Sequence, residues 1–236
     1  LTKEKYLEEG LIKAQNRARK IEKHVLFSYS FRFDIRDLLP ILTHPSDKNT
    51  TRIYWEQPSA GFSFAGLGVA FQVQKDTTQN QNTINEEIDR IMKMSVSVTE
   101  NSLIGPRIIG GHAFNQYEGD DPTWKNFPKL RFLISECLAT LTDDGAWLTI
   151  SCMVRPFNEL NDLFERFFRS ITFYANRLPV TLPPISRVAI DKYRDVPDQN
   201  TYSNIIFSVL ENIKPDKLKK VVVSRSHHVK IGTGFK

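Results

Sequence analysis

LRFLISECLATLTDDGAWLTISCMV, residues 130–154, carries the strongest local structural signal in the chain. Two apolar runs, at 130–141 and 146–154, flank the turn residues Asp143, Asp144 and Gly145. Asp-Gly favours a tight hairpin, because glycine readily takes the positive φ that such a turn requires. We therefore predict two antiparallel strands across 130–154, joined at this turn.

Other β-rich segments surround this hairpin. Residues 51–74, TRIYWEQPSAGFSFAGLGVAFQVQ, predict strands interrupted at Pro58–Gly61, with a bulge or tight turn at Gly66 and Gly68. Residues 24–33 and 106–114 predict further strands, and 124–128 a loop. The 51–74 and 106–154 regions are expected to contribute antiparallel strands to a common sheet system.

Apolar residues at helical spacing mark the segments between the strands. Leu7, Leu11, Ala14, Ala18 and Ile21 form one stripe, so the basic residues of 13–23 should face water. A short helix is predicted at 34–42, with Pro40 weakening its end. Further helices are predicted around Ile84, Ile88 and Ile91, across 157–178 with Leu160, Phe164, Phe167, Phe168 and Ile171 buried, and across 202–213. Runs of strands with helices between them indicate an α+β fold, with antiparallel sheets flanked by helices. No long linker appears, so residues 1–236 are expected to form part of a single domain.

Composition narrows the class of protein. The chain has 236 residues, is 40% hydrophobic and 25% charged, and its net charge of +5 is spread along the sequence. Nucleic-acid binders cluster their basic residues, so this spread of charge does not predict a nucleic-acid partner. No stretch approaches the roughly 18 consecutive apolar residues of a membrane span, so none is predicted. Cys137 and Cys152, without a C-x-x-C pattern, suit unbridged thiols in a reducing cytoplasm. We also expect residues to precede Leu1, because the chain does not begin with methionine.

Several familiar sites are disfavoured by spacing. Gly66-Leu-Gly68 lacks the third glycine and the helix start of a dinucleotide fingerprint. The five histidines include no H-x-x-x-H pair, and the adjacent His227 and His228 would point to opposite faces of a strand. His112 is expected to be a hydrogen-bonded structural residue. The acidic run at 118–121 is interpreted as a solvated loop.

The segment Lys219-Lys-Val-Val-Val-Ser-Arg225 is the strongest candidate for chemistry. Three valines predict that 218–225 enters a strand buried on both faces. A lysine at the edge of such a strand could be desolvated enough to accept a proton. Alternation places Lys220 and Lys219 on opposite faces. On pattern alone, however, lysines beside strands are more often solvated gatekeepers.

The same segment resembles the Lys-Val-Val-Leu-Ala/Ser-Arg motif of isochorismate and salicylate synthases in the chorismate-utilising enzyme family. Trp55-Glu-Gln-Pro with Phe64-Ala-Gly-Leu-Gly-Val-Ala70 resembles an early tryptophan and A-G-L-G-x-A pattern of that family. Gly110-Gly-His-Ala-Phe114 and Trp124-Lys-Asn-Phe-Pro128 resemble its G-G-x-x-F and W-x-x-F-P segments. Four motifs in the right order make the likeness fairly specific, although Val223 replaces the more usual leucine.

The resemblance implies the fold of that family, chorismate as the substrate and Mg²⁺ as the cofactor. It implies that Lys220 is the general base that activates water for attack at C2 of chorismate. In this family a glutamate downstream of the lysine motif protonates the departing 4-hydroxyl, and further glutamates downstream hold Mg²⁺. The resemblance implies that the corresponding residues would come after Lys236. We therefore expect this chain to be the N-terminal half of an isochorismate synthase, inactive alone and inclined to self-associate.

The resemblance leaves the pathway and the exact reaction open. The long region before the lysine favours a menaquinone-type isochorismate synthase over a siderophore-pathway one. A salicylate synthase would share the motif and differ by a later lyase step. Anthranilate and aminodeoxychorismate synthases share the fold but attack with ammonia and lack this signature. A non-catalytic interaction module is the alternative of another class.

Overall fold

A computed structural model of the chain describes residues 3–44, 50–75, 81–113, 124, 126–176, 190–213 and 219–231. The chain divides into two compact units, Leu1–Pro183 and Pro184–Lys236. That residues 1–236 belong to a single enzyme domain remains a prediction.

The first unit contains three α-helices and nine strands among its described residues. Their bounds are α1 Lys3–Ile21, β1 Val25–Arg32, β2 Arg52–Gln57, β3 Phe62–Leu67, β4 Phe71–Lys75, α2 Gln81–Lys93, β5 Val96–Val98, β6 Ile109–His112, β7 Leu130–Ile134, β8 Cys137–Thr142, β9 Gly145–Val154 and α3 Leu160–Ala175. The second unit contains β10 Ile190–Val196, α4 Gln199–Ile213 and β11 Ser226–Ile231. In the described parts of the chain, no helix combines the length and apolarity that a bilayer crossing requires.

Two sheets organise the first unit. The larger has the strand order β2-β3-β8-β9-β1-β5, and the smaller has the order β4-β7-β6. All of these pairings are antiparallel except that of β1 with β5. The predicted α+β fold with antiparallel sheets flanked by helices is confirmed. The predicted sharing of sheets between the two regions is confirmed as well, because β3 pairs with β8 and β4 pairs with β7, while β2 joins the large sheet through β3.

The hairpin forms where the sequence predicts it. β8 and β9 pair from Thr142 opposite Gly145 to Cys137 opposite Ile150, with Asp143 and Asp144 as the turn. Gly145 has a φ of +122°, which supplies the predicted positive φ one residue after the turn. The local sequence is sufficient here because the turn chemistry and the flanking apolar runs agree.

The predicted continuous strand at 130–141 is wrong, because Ser135 and Glu136 interrupt it and divide it into two strands, β7 and β8. β7 before the break belongs to the small sheet, and β8 after it belongs to the large sheet. The Glu136 carboxylate accepts hydrogen bonds from Ser170 Oγ at 3.3 Å and Tyr174 OH at 3.2 Å, both on α3. These partners, distant in sequence, hold a polar residue between two apolar strands.

α1 and α3 pack against the large sheet and form the main core with it. The α1 stripe of Leu7, Leu11, Ala14 and Ala18 is buried, as its spacing predicts. The rings of Phe27 on β1 and Phe167 on α3 meet edge to face, with 4.9 Å between centroids. The face of α3 is rotated from the predicted one: Leu163, Phe167 and Tyr174 are buried, whereas Phe168 is 43% exposed.

Two shorter segments also differ from their predictions. The helix expected at 34–42 is a 3₁₀ helix at Leu39–Thr43, and Pro40 lies in its first turn rather than at its end. Proline fits a helix start because the missing N–H has no intrahelical partner there. β10 was not predicted, since the proline-rich sequence before Pro197 obscures its alternation.

Candidate functional site

The lysine segment, which we define as residues 219–225, lies in the second unit and is not a strand. β11 begins only at Ser226, where it pairs with β10. Val222 is 81% exposed and Val221 37% exposed. The predicted doubly buried strand at 218–225 is therefore wrong for the described residues 219–225, because none of the described strands pairs with them. Residue 218 lies outside the described residues.

Lys220, the predicted base, is exposed on this segment, as is Lys219. Among the described residues, no hydrogen bond or ion pair to Lys220 is formed. The argument that strand alternation separates the two lysines does not apply to an irregular backbone. Their different roles consequently rest on position in the motif alone.

The far end of the segment is anchored within the second unit. Arg225 Nη1 lies 3.3 Å from Asp195 Oδ2 on β10, and the Arg225 guanidinium lies over the Tyr202 ring of α4 at 5.4 Å. The Tyr202 hydroxyl donates a hydrogen bond to the Val223 carbonyl at 3.4 Å. Asp195 also pairs with His227 Nδ1. The hydrogen bond from His227, and then the charge of Arg225, lower the pKa of Asp195.

The histidines and acidic residues do not assemble a metal site in the described parts of the chain. No three His, Cys, Asp or Glu side chains come together there in a group able to hold an ion. His227 and His228 lie on successive positions of β11, and their partners differ: Asp195 for the former and Ser226 for the latter. The acidic run at 118–121 lies outside the described residues. The Mg²⁺ that the resemblance implies therefore finds no ligand set among the described side chains.

Two of the resemblance motifs meet at a cleft in the first unit. The cleft has a volume of about 840 Å³ and is formed by residues 51–53 at the start of β2, residues 109–113, Trp124, residues 126–129, Arg131 and Leu133. We call it the basic cleft. The G-G-H-A and W-x-x-F-P segments, separated in sequence, thus share one surface.

Backbone geometry explains the first glycine of the G-G pair. Gly110 has a φ of +155°, and a Cβ there would lie 2.0 Å from the Arg131 carbonyl oxygen of β7. Only glycine fits such a close approach of two strands. Gly111 pairs with Arg131 across the strands, yet a Cβ at Gly111 would meet nothing within 4 Å. The first glycine is needed for packing, and the second leaves space open in the cleft.

Basic side chains line the cleft, and no described lining residue is acidic. Arg131 Nε donates to Gln72 Oε1 and its Nη2 to Thr51 Oγ1, each at 3.2 Å. Arg52 donates to the backbone carbonyls of Leu42, His44 and Thr50, at 2.9, 3.2 and 3.0 Å. Both guanidinium groups are fixed by neutral acceptors. They were not predicted as site residues, because each stands alone in the sequence and only the packing of two sheets brings them to one cleft.

Other residues of interest have structural roles. His112 lies on β6, and its Nδ1 donates to the Ala113 carbonyl at 3.0 Å, as expected of a hydrogen-bonded strand residue, although it is exposed. Trp55 on β2, which is 43% exposed, stacks on the buried Phe64 of β3 with 5.4 Å between ring centroids. Gly68, with a φ of +68°, leads into strand β4 and not into a helix. Both cysteines are free thiols.

Comparison with known proteins adds independent information. Residues 12–236 match a family model described as "Chorismate binding enzyme". The chain is 22% identical over 232 residues to isochorismate synthase MenF of Bacillus subtilis strain 168. This match covers 95% of this chain and 48% of that protein. It is 27% identical over 123 residues to the salicylate biosynthesis isochorismate synthase of Pseudomonas aeruginosa, covering 52% and 25%.

A solved structure is also similar. MenF, the menaquinone-specific isochorismate synthase of Escherichia coli, superposes with a TM-score of 0.47 at 14% identity, covering 94% of this chain and 47% of that one. The chain spans about half the length of the Bacillus subtilis relative and of this solved structure.

Proposed function

The chain belongs to the family of chorismate binding enzymes, and from this membership we propose that it carries the catalytic lysine of an isochorismate synthase. One observation carries the proposal: the lysine segment lies inside the region matched by the family model, in a chain similar along 95% of its length to an isochorismate synthase. The longer match to MenF than to the salicylate-biosynthesis enzyme favours a role in menaquinone biosynthesis.

In the proposed reaction Lys220 acts as the general base. Its Nζ takes a proton from water while the water oxygen bonds to C2 of chorismate. Both double bonds of the ring diene shift by one position, the C4–O bond breaks, and an acid protonates the departing hydroxyl so that it leaves as water. Substrate and product are isomers, because one water adds and one leaves. The exposed position of Lys220 leaves its amine accessible to a substrate.

The acid and the metal are the parts that this chain lacks in our proposal. No glutamate follows Lys220 in the sequence, and the described residues contain no metal-binding cluster. When bound, Mg²⁺ would hold a substrate carboxylate. General acids and bases each contribute about 10²–10⁴-fold to a rate. We accordingly propose that residues 1–236 alone convert chorismate very slowly.

The test uses two proteins and one conservative substitution. The chain alone, and the chain fused to the part of Bacillus subtilis MenF that it does not span, are incubated with chorismate and Mg²⁺, and isochorismate is measured by chromatography. We expect little turnover by the chain and clear turnover by the fusion. Lys220→Gln in the fusion should lower kcat by about 10²–10⁴-fold.

Lys219→Gln in the same fusion is the matched control, since both lysines are exposed on the same segment. Its activity should stay close to that of the parent fusion. Near-normal activity of the Lys220→Gln fusion would refute the assignment of the base. Salicylate with pyruvate as products would favour a salicylate synthase, and a fusion that binds no chorismate would favour a non-catalytic interaction module.

A further inference from the structure

We propose that the basic cleft of the first unit is a binding site for a small ring compound that carries carboxylate groups. The site consists of Arg52, Gly111, Trp124, Phe127 and Arg131. Its volume of about 840 Å³ lies within the range of small-molecule sites. The proposal does not depend on the role of Lys220, because each residue that carries it belongs to the first unit.

Charge is the first argument. Arg52 and Arg131 are half-buried, and neither pairs with a carboxylate among the described residues. The hydrogen-bond partners of both guanidinium groups are uncharged, so these two positive charges persist in the concave surface. A concave surface with charge of one sign focuses the field and attracts an anion. A guanidinium is particularly suited to a planar carboxylate, which it can bind through two parallel hydrogen bonds.

Aromatic side chains are the second argument. Trp124 and Phe127 are 58% and 64% exposed, and their rings meet edge to face with 5.5 Å between centroids. Both line the cleft beside the basic residues. Apolar rings exposed at the wall of a charged cleft provide a flat contact for another ring. The combination therefore favours a ring with carboxylates over a linear acid.

The open space at Gly111 is the third argument. Gly111 lies directly opposite Arg131 in the β6–β7 register, so a side chain at 111 would stand beside the guanidinium on the same face. A Cβ there meets nothing within 4 Å, so packing does not require glycine. Its absence of a side chain leaves room for a ligand in front of Arg131.

This geometry supplies a variant that fills the site without disturbing the fold. Gly111→Glu would place a carboxylate of the chain itself beside Arg131. Gly105→Glu is the matched control, because a Cβ at Gly105 also meets nothing within 4 Å and Gly105 does not line the cleft. The far-ultraviolet circular dichroism of both variants should match that of the parent chain.

Binding is measured on residues 1–236 by isothermal titration calorimetry with isophthalate, a benzene dicarboxylate. Isophthalamide is the uncharged analogue, and inorganic phosphate and a short single-stranded oligonucleotide are the competing anions. Isophthalate should also change the tryptophan fluorescence, and Trp124→Phe should remove that change. We expect Gly111→Glu to weaken isophthalate binding by about tenfold or more and Gly105→Glu to change it by less than about twofold. Isophthalamide should not bind measurably.

Opposite results would overturn the proposal. Equal binding by Gly111→Glu and the parent chain would place the ligand elsewhere. Equal binding of isophthalamide and isophthalate would show that binding does not require carboxylate groups. Phosphate or oligonucleotide binding as tight as that of isophthalate would assign the cleft to phosphate chemistry instead.

Discussion

Replacing Gly110 with alanine should destabilise the small sheet, whereas the same change at Gly111 should not. The two glycines are neighbours on β6, and the substitution adds one methyl group at either position. A methyl at Gly110 would lie 2.0 Å from Arg131 O and 2.7 Å from Phe132 Cα, and both obstacles are backbone atoms that cannot rotate away. A methyl at Gly111 meets open space.

The magnitude follows from two terms. Holding a residue other than glycine at the φ of +155° costs about 1–3 kcal/mol. Relieving the overlap with β7 costs about 1–3 kcal/mol more. The sum is about 2–6 kcal/mol, and the observed cost cannot exceed that of releasing β6, which is a four-residue strand at the edge of its sheet. For Gly111→Ala we expect no loss, and a gain up to about 1 kcal/mol from the lower entropy of the unfolded chain.

Urea unfolding followed by circular dichroism gives the free energy of unfolding of each variant. Hydrogen exchange at residues 109–112 then distinguishes strain within a paired strand from release of β6. Release should appear as fast exchange at those amides with a small change in the unfolding midpoint. Equal free energies for the two variants, together with equal protection of 109–112, would refute the reasoning.

Three further predictions concern the core, the thiols and the exposed valines. Phe167→Ala should lower the free energy of unfolding by about 3–5 kcal/mol, because Phe167 is buried against Phe27. Phe168→Ala, at a half-exposed position of the same helix, should cost less than about 1 kcal/mol, and equal costs would contradict the packing of α3. Burial raises the pKa of the Cys137 thiol and raises that of Cys152 to about 12, so neither should react quickly with Ellman's reagent near neutral pH until the chain unfolds. A thiol that reacts rapidly in the folded chain would contradict this. Because the folded state holds both thiols protonated, the free energy of unfolding should also fall as pH rises above the thiol pKa of the unfolded chain, about 8.5. Val222→Asp should reduce self-association in sedimentation velocity without lowering the thermal midpoint, since Val222 is 81% exposed, and unchanged association would show that the valine segment is not the contact surface.

The elements that could be predicted from the sequence are those determined by neighbours along the chain. The stripe of Leu11 and Ala14 predicts α1, and Asp143 to Gly145 predicts the hairpin, because periodicity and turn chemistry are local. The break at Glu136 could not be predicted, since the groups that hold its carboxylate, Ser170 and Tyr174, belong to a helix formed much later in the sequence.

The candidate sites show the same division. The lysine segment was found from its motif, but its three valines suggested a buried strand that the described structure does not contain. Burial of a valine run depends on a partner strand, and composition alone does not supply one. Arg52 and Arg131 were missed for the opposite reason: nothing near either residue in the sequence marks it. The register that places Arg131 opposite Gly111 is the signal that identifies the cleft.

The position of β1 within the large sheet has a consequence for synthesis on the ribosome. Phe27 pairs with Cys152, so the main antiparallel partner of β1 is made about 125 residues after it. At a synthesis rate of about 5–20 residues per second, β9 is completed roughly 6–25 s after the apolar strand VLFSYSFR. Among the neighbours that contact β1, α1 is the first to be made. The N-terminal helix is therefore the earliest available cover for this strand while the nascent chain is still growing.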